Sequence, residues 1–225
     1  MSTATATVTA SATPEARAAT TTEDDGEDVL RLAVIVGSVR EGRFGPVVSD
    51  WFAAEAREHG GFDVDLIDLA EAEHVLPVAF PDFSAPLPAG VEAVRDGLSR
   101  RLGNADAFVV VTPEYNHSFP APLKNTIDWF HGEWAAKPVG FVSYGGMSGG
   151  LRAVEQLRQV FPELHAVTVR DALSFHMAWE RFDEDGRPHD AKDTGEAART
   201  MLGQLEWWGR ALREARTRTP YGSAR

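Results

Sequence analysis

Residues 37 to 46 combine small, hydroxyl and arginine side chains in a pattern that suits an anion such as a phosphate. The run reads GSVREGRFGP, and residues that favour a helix follow it directly. Its glycines let the main chain approach a ligand, Ser38 offers a hydroxyl, and Arg40 and Arg43 offer two-pronged donors. The helix predicted from Val47 onward adds unpaired N–H groups and the positive end of its dipole. A Gly-Ser turn is also common as a simple connection between a strand and a helix. These residues alone therefore leave both interpretations open, a phosphate site and an ordinary turn.

Two further loops have the composition of a pocket for a flat ligand. Residues 112 to 125 read TPEYNHSFPAPLKN, in which prolines bracket an aromatic ring and an amide. A planar heteroaromatic molecule needs one stacked face and polar groups at its edge, and such a loop supplies both. Residues 143 to 150 read SYGGMSGG, whose four glycines permit close approach of the main chain. Each loop is a weak signal alone, so its meaning depends on whether one fold brings them together.

The elements around these loops follow the alternation of a parallel α/β sheet. From Leu30 onward, short apolar runs alternate with longer amphipathic segments. Apolar patterning predicts strands at 31–36, 62–69, 107–112, 138–143 and 165–169. It predicts helices at 47–58, from about 91 to 102, at 150–160 and along the apolar stripe from Met201 to Ala215. Five strands joined by four crossings predict a doubly wound domain.

This topology would gather the three loops at one edge of the sheet. In a doubly wound parallel sheet, ligands bind outside the carboxyl ends of the strands, near the point where the strand order reverses. The loops follow the first, third and fourth predicted strands. They lack the GxGxxG and GxxxxGK[ST] patterns, which argues against a Rossmann dinucleotide site and against a nucleoside triphosphatase. We therefore predict a pocket for a flat, phosphorylated molecule at this edge.

Composition excludes several other classes of protein. The chain has 225 residues, no cysteine, and 34 acidic against 22 basic residues. Without cysteine, disulfides, thiolate catalysis and cysteine-ligated clusters are excluded, so redox chemistry needs a bound cofactor. The net charge of -12 argues against nucleic-acid binding. We find no apolar run long enough for a bilayer, no secretion signal and no metal-ligand spacing, so we expect a cytoplasmic protein with no membrane partner and no metal.

The sequence predicts one folded domain between two tails. Residues 1–29 are rich in Ala, Thr and Ser and then become acidic, which predicts a disordered acidic tail. Residues 30–218 contain all of the predicted strands and helices and form the expected domain. Residues 219–225 are expected to form a flexible C-terminus.

The loop sequences resemble one known family, the NAD(P)H-dependent FMN reductases of flavodoxin-like fold, which include quinone and azo-dye reductases. The resemblance is carried by GSVR at 37–40, by TPEYN at 112–116 with LKN at 123–125, and by SYGG at 143–146. It covers about residues 31–169 well. It implies an α/β, flavodoxin-like three-layer sandwich with a five-stranded parallel sheet. It also implies FMN as the bound cofactor and NADPH or NADH as the hydride donor.

The resemblance further implies a role for each loop. The first loop would bind the FMN phosphate, with the residues Ser38, Arg40, Arg43 and Gly45. The second would line the edge of the isoalloxazine, largely through main-chain groups, with the residues Pro113, Glu114, Tyr115 and Asn116. The third would close around the pyrimidine side of the ring, with the residues Ser143, Tyr144, Gly145 and Gly146. Some members have Ser at the position of Arg43 and Asn at that of Gly45, so this chain departs from the pattern there.

The implied reaction passes hydride from a nicotinamide to the flavin and then to a small-molecule electron acceptor in the same pocket, with ping-pong kinetics. We expect the cofactor, and no protein side chain, to carry the chemistry. Two alternatives come from other classes: a flavodoxin-type FMN electron carrier without direct NAD(P)H turnover, and a binding module without flavin. In the family, the pocket lies near subunit contacts, and the last helix here has an apolar stripe, so we expect a homodimer or a homotetramer.

Overall fold

The computed structural model describes residues 29–79 and 84–222. The disordered tail expected at 1–29 lies outside this part of the chain, except for Val29, and so do the last three residues of the expected flexible C-terminus. The described residues form a parallel sheet with helices on both of its faces.

Five parallel strands form the sheet in this part of the chain. They are β1 Leu30–Val36, β2 Phe62–Asp68, β3 Ala107–Pro113, β4 Pro138–Gly145 and β5 Val167–His176. Their order is β2-β1-β3-β4-β5, so the chain passes from β1 to one side and then crosses back to the other. The strand order therefore reverses between β1 and β3, which is where such sheets bind ligands.

Among the described residues, five α-helices cover the two faces of the sheet. They are α1 Gly45–His59, α2 Ala89–Asn104, α3 Ala121–Trp129, α4 Leu151–Glu163 and α5 Ala191–Arg218. Helices α1 and α5 share an apolar cluster with one face of the sheet, and α2, α3 and α4 share a second cluster with the other. This arrangement confirms the predicted flavodoxin-like three-layer sandwich. None of these helices is both long and apolar enough to span a membrane.

The central strands position the loops because they are covered on both faces. All seven residues of β3 are buried. Phe108 and Val110 pack in the cluster with α2, α3 and α4, whereas Val109 packs in the cluster with α1 and α5. Such double coverage requires an uninterrupted apolar run. At the carboxyl end, Pro113 of β3 pairs with Tyr144 of β4, so the loops that follow these two strands begin side by side.

The fifth strand is longer than the apolar pattern predicts. The predicted strand ends at residue 169, whereas β5 continues to His176. Its pairing with β4 changes register between Val139 and Phe141, which marks a bulge. The buried residues Val169, Leu173 and Phe175 are spaced four and then two apart, so burial keeps a two-residue period, with the half-buried Asp171 at the position between the first two.

The second loop is shorter than expected, because α3 begins within it. Residues 121–125 form the start of this helix, although the prolines at 120 and 122 indicate a loop. Pro122 lies in the first turn of the helix, where main-chain N–H groups have no acceptor within the helix, so the missing N–H group of proline costs no hydrogen bond. The loop proper is therefore limited to residues 114–120.

The last helix returns to the start of the first strand. A Cβ at Gly209 would lie 2.7 Å from Leu30 Cδ1, so a glycine there lets α5 pack closely on β1. Arg213 Nη1 donates to the main-chain oxygen of Val29 at 3.3 Å. Near the helix end, Arg216 donates to the main-chain oxygen of Ala136, which precedes β4. Both ends of the described domain therefore lie at the amino edge of the sheet.

Candidate functional site

A cleft of about 340 Å³ lies at the carboxyl edge of the sheet, beside the reversal of strand order. Its walls are the loop after β1, the ends of β3 and β4 with the residues that follow, and the turn after β5. The lining residues are Arg40, Glu41, Gly42, Arg43, Phe44, Pro113, Glu114, Tyr115, Tyr144, Gly145, Gly146, Ala178 and Trp179. This volume falls within the range of small-molecule sites.

The two arginines of the first loop differ in their partners. Arg43 Nη2 lies 2.5 Å from Asp68 Oδ2, and this ion pair joins the loop to the end of β2. Arg40 is exposed and lines the cleft, and its guanidinium has no ion-pair or hydrogen-bond partner in the described part of the chain. Its positive charge is available to an anionic ligand, whereas that of Arg43 is already balanced. Glu41, which also lines the cleft, is the neighbouring negative charge.

Ser38 lies behind the wall of the cleft. It is fully buried, and its Oγ lies 2.7 Å from the phenol oxygen of Tyr115. The main-chain N–H of Arg40 also donates to this Oγ, at 3.4 Å. In this arrangement Ser38 shapes the first loop and joins it to the second, because its hydroxyl is engaged within the protein.

The side chain of Tyr144 packs beneath the start of α1. Only 5% of Tyr144 is exposed, and its ring centroid lies 6.3 Å from that of Phe44. A Cβ at Gly45 would lie 2.9 Å from Tyr144 Oη, so the close approach requires glycine at this position. The phenol oxygen is buried and has no hydrogen-bond partner in the described structure. Burial raises the pKa of Tyr144 far above its ordinary value, so the phenol is neutral at physiological pH.

The second loop turns back on itself directly after β3. Tyr115 and Ser118 exchange two main-chain hydrogen bonds, of 2.8 and 3.0 Å. Between them, Asn116 and His117 have φ angles of 51° and 69°, the values of a type I′ turn. Asparagine tolerates this left-handed conformation better than most residues. Asn116 is exposed at the tip of the turn and does not line the cleft.

Glu114 is fixed by the start of α4. Its carboxylate accepts hydrogen bonds from Arg152 Nη1 at 2.7 Å and from the Arg152 main-chain N–H at 3.1 Å. Burial raises the pKa of Glu114, but the hydrogen bonds from Ser148 and Arg152 outweigh it and keep the pKa below its ordinary value. The ionised carboxylate therefore anchors the second loop to α4.

Glycines give the third loop its shape. Gly149 and Gly150 have φ angles of 60° and 87°, which side-chain-bearing residues rarely adopt. A Cβ at Gly150 would also lie 2.6 Å from Ser143 Cβ. The buried Ser143 donates its hydroxyl to the main-chain oxygen of Gly149 at 2.8 Å. Ser143 thus stabilises the loop from behind, and Gly145 and Gly146 form the part that faces the cleft.

The structure brings most of the predicted site residues to one place. Eight of the twelve line the cleft, namely Arg40, Arg43, Pro113, Glu114, Tyr115, Tyr144, Gly145 and Gly146. The other four belong to the same loops without lining it: Ser38, Gly45 and Ser143 are buried, and Asn116 is at the turn tip. Which of the twelve touch a ligand remains a prediction.

Sequence reasoning misses the fourth wall of the cleft. Ala178 and Trp179 belong to a short 3₁₀ turn, Ala178–Glu180, directly after β5. A strand that ends at residue 169 does not bring them to the carboxyl edge. The alternation of Leu173 and Phe175 with polar neighbours is the signal that could have extended the strand.

In the described part of the chain, one group of acidic and histidine side chains has the spacing of a cation site: Glu71, Glu73 and His74. Both ring nitrogens of His74 already have partners. Nδ1 donates to the Asp68 main-chain oxygen at 2.7 Å, and Nε2 accepts from Arg101 Nη1 at 2.5 Å. A guanidinium therefore occupies the position that a metal ion would need.

The sheet order and the cleft at its reversal point define the class of protein, a doubly wound flavodoxin-like α/β protein with a cleft at the carboxyl edge of its sheet. A solved structure with the same fold is the flavoenzyme NAD(P)H:(acceptor) oxidoreductase FerB from Paracoccus denitrificans. It superimposes with a TM-score of 0.64 at 24% sequence identity, covering 82% of this chain and 99% of that one.

Sequence comparison then identifies the family. The family described as NADPH-dependent FMN reductase matches residues 30–180. A probable NADPH:quinone oxidoreductase of Oryza sativa is 36% identical over 174 residues, which cover 73% of this chain and 84% of that protein. An NAD(P)H-dependent FMN reductase of Schizosaccharomyces pombe is 34% identical over 134 residues, covering 58% of this chain and 64% of that protein. The chain belongs to the NADPH-dependent FMN reductase family, which confirms the resemblance found in its loops.

Proposed function

We propose that this chain is an NAD(P)H-dependent flavin oxidoreductase that binds FMN in the cleft and reduces a quinone, a flavin, an azo compound or a similar small acceptor. The observation that carries the proposal is the cleft itself. It joins the three predicted loops at the reversal of strand order, and it contains the guanidinium of Arg40, which has no partner among the described residues. With a quinone, NAD(P)H and one proton from solvent yield NAD(P)⁺ and a hydroquinone, so two electrons and two hydrogens are transferred.

The residues of the cleft fit FMN at both of its ends. Arg40 offers a free positive charge close to the first turn of α1, as a phosphate requires. Gly145 and Gly146 expose main chain without side chains, as the edge of a flat ring requires. FMN, when bound, supplies a ring that accepts a hydride and passes it on. The protein's part is to bind and orient, which agrees with the expectation that no side chain is catalytic.

At the phosphate end, we assign direct contact to Arg40 and to main-chain N–H groups at the start of α1. Ser38 supports this end by fixing the first loop against Tyr115. Arg43 fixes the loop through its ion pair with Asp68 and adds positive potential. Gly45 supports it by making room for a neighbouring ring.

At the ring end, we assign contact to the main chain of the second and third loops. Glu114 holds the second loop against α4, so that Pro113 and Tyr115 keep their places at the wall. The residues assigned to this end are Pro113, Glu114, Tyr115, Asn116, Ser143, Tyr144, Gly145 and Gly146. Asn116 and Ser143 act through the turn and the loop that they stabilise.

A homodimer or homotetramer remains part of the proposal, as does a cytoplasmic location. Trp207 and Trp208 support the former: they lie on α5 with 64% and 37% of their surfaces exposed, and their rings meet edge to face at 5.0 Å. Exposed aromatic pairs of this kind are common at subunit contacts. A monomeric mass by light scattering at micromolar concentration would contradict this part of the proposal.

The absorption spectrum of the purified protein, reconstituted with FMN, tests the function. Anaerobic NADPH or NADH should bleach the flavin band, and a quinone should restore it without a protein partner. Flavin that binds but is not bleached would favour an electron carrier of flavodoxin type. A protein that leaves FMN fluorescence unchanged at micromolar concentration would contradict flavin binding altogether.

A further inference from the structure

Trp179 is an exposed aromatic side chain at the wall of the cleft. Its exposed fraction is 57%, whereas Tyr144, another aromatic residue of the lining, is only 5% exposed. An exposed ring at the wall of a concave site gives a ligand apolar surface to cover, and covering it is favourable. The indole therefore offers a face that the protein's own packing leaves open.

The turn that bears Trp179 is joined to the third loop and closed by a hydrogen bond of its own. The Met177 N–H donates to the Gly146 oxygen at 3.0 Å, which ties the turn to the third loop. The Arg181 N–H donates to the Ala178 oxygen at 3.0 Å and closes the turn. Ala178 is 1% exposed and belongs to the apolar cluster beneath α1 and α5. The backbone under the indole is thus fixed, and its ring is presented at a defined position.

The indole also lies beside the glycine that faces the cleft. A Cβ at Gly146 would lie 3.7 Å from Trp179 Cη2, so the ring reaches over the main chain of the third loop. In the proposed function, this stretch of main chain borders the flavin ring. The six-membered ring of Trp179 therefore borders the space that a second flat molecule would enter to meet the flavin.

We propose that Trp179 is the stacking platform for the second substrate and makes the site selective for planar aromatic acceptors over compact inorganic ones. This inference rests on the proposed function and adds the substrate class to it. A flat ring that covers the indole gains both apolar burial and ring stacking. A globular complex such as ferricyanide has no flat face and gains neither.

The test compares Trp179→Ala with two controls, Trp179→Phe and Tyr221→Ala, in the FMN-loaded protein. Tyr221 is a matched control because it is an exposed aromatic residue, 56% against 57%, that does not line the cleft. The acceptors are 2-methyl-1,4-naphthoquinone and ferricyanide, each with NADPH. In a ping-pong reaction, kcat/KM for the acceptor does not depend on the nicotinamide step, so this ratio isolates acceptor recognition.

We expect Trp179→Ala to lower kcat/KM for the naphthoquinone about tenfold, as loss of an aromatic stack should, mainly through KM. The value for ferricyanide should stay within about twofold of wild type, since no stack is lost. Trp179→Phe should retain most of the quinone activity, and Tyr221→Ala should match wild type. Equal losses with both acceptors, or no loss with either, would overturn the inference.

A binding measurement separates this inference from the proposed function. Isothermal titration of the oxidised, FMN-loaded protein with the naphthoquinone should give a Kd that rises about tenfold in Trp179→Ala. The FMN Kd should be unchanged in the same variant. An unaltered naphthoquinone Kd would refute the platform even in an active enzyme. Tight quinone binding that depends on Trp179 in a protein that never oxidises NADPH would instead refute the proposed function.

Discussion

Replacing Arg40 by alanine should weaken FMN binding while leaving the fold intact. The guanidinium lines the cleft and has no partner in the described part of the chain, so its removal breaks no internal contact. Exposed substitutions of this kind change stability by less than about 0.5 kcal/mol. The free energy of unfolding of the flavin-free protein should therefore be nearly unchanged.

The size of the loss follows from the chemistry of the contact. A hydrogen bond to a charged group contributes about 1.5–3 kcal/mol, and a phosphate is a doubly accepting anion. This range corresponds to about a tenfold to 150-fold increase in Kd. Riboflavin has no phosphate, so its Kd should not respond to the same substitution.

Quenching of flavin fluorescence measures both dissociation constants in flavin-free protein. Arg43→Ala is the matched control, because it removes the same charge from the same loop but breaks the ion pair with Asp68. We expect this control to lower the free energy of unfolding and to weaken FMN binding less than Arg40→Ala does. Arg40→Lys should fall between wild type and alanine, since it keeps the charge without the planar fork.

Three results would refute this reasoning about the phosphate. The first is an unchanged FMN Kd in Arg40→Ala. The second is an equal loss for FMN and riboflavin, which would place Arg40 at the ring or show a general disturbance. The third is an equal effect of the Arg40 and Arg43 substitutions on the FMN Kd, which would show that both residues act only through their positive charge and that Arg40 makes no direct contact.

Three further predictions concern close packing, a buried lysine and a charge at the cleft. Gly45→Ala should lower the free energy of unfolding by about 1–3 kcal/mol in urea titrations, because its Cβ would lie 2.9 Å from Tyr144 Oη, and adding Tyr144→Phe should recover part of the loss. Burial in the folded protein lowers the pKa of Lys137 from 10.5 to about 8, so between these pH values the unfolded chain binds more protons than the folded one. The free energy of unfolding of the wild type should therefore rise from pH 8 to 10.5, by comparison with Lys137→Met at each pH, in denaturant titrations. Glu41 lines the cleft, and its negative charge repels a phosphate, so Glu41→Gln should lower the FMN Kd about twofold at low salt. Salt screens charges at a protein surface, so an effect of the same size in 1 M salt would contradict this explanation.

The sheet could be predicted from sequence because its central strands are buried on both faces. The apolar run of β3, from Ala107, has no alternation to misread, and the structure extends the prediction by one residue. The apolar pattern makes the edge strand β5 too short, because the polar residues Arg170 and Asp171 interrupt its apolar run, although burial keeps a two-residue period as far as Phe175. Helix α3 was missed for a different reason: prolines at 120 and 122 signal a loop in sequence but also occur at helix starts.

The loops of the candidate site could be located from sequence, but the tasks of individual side chains could not. Ser38 and Arg43 have the chemistry of phosphate ligands, yet one is bonded to Tyr115 and the other to Asp68. Those partners lie 77 and 25 positions away along the chain, so no local pattern reveals them. Trp179 was missed because its position depends on where β5 ends. Composition thus predicts which loops meet, and tertiary contacts decide which groups remain free.

The return of α5 to the start of β1 determines where the protein can be fused to a partner or immobilised on a surface. Arg213 bonds to the oxygen of Val29, so the two points at which a tether could leave the domain are neighbours. Both lie at the edge of the sheet opposite the cleft. A fusion partner or an electrode linked at either point would face away from the entrance and leave it open to diffusing molecules.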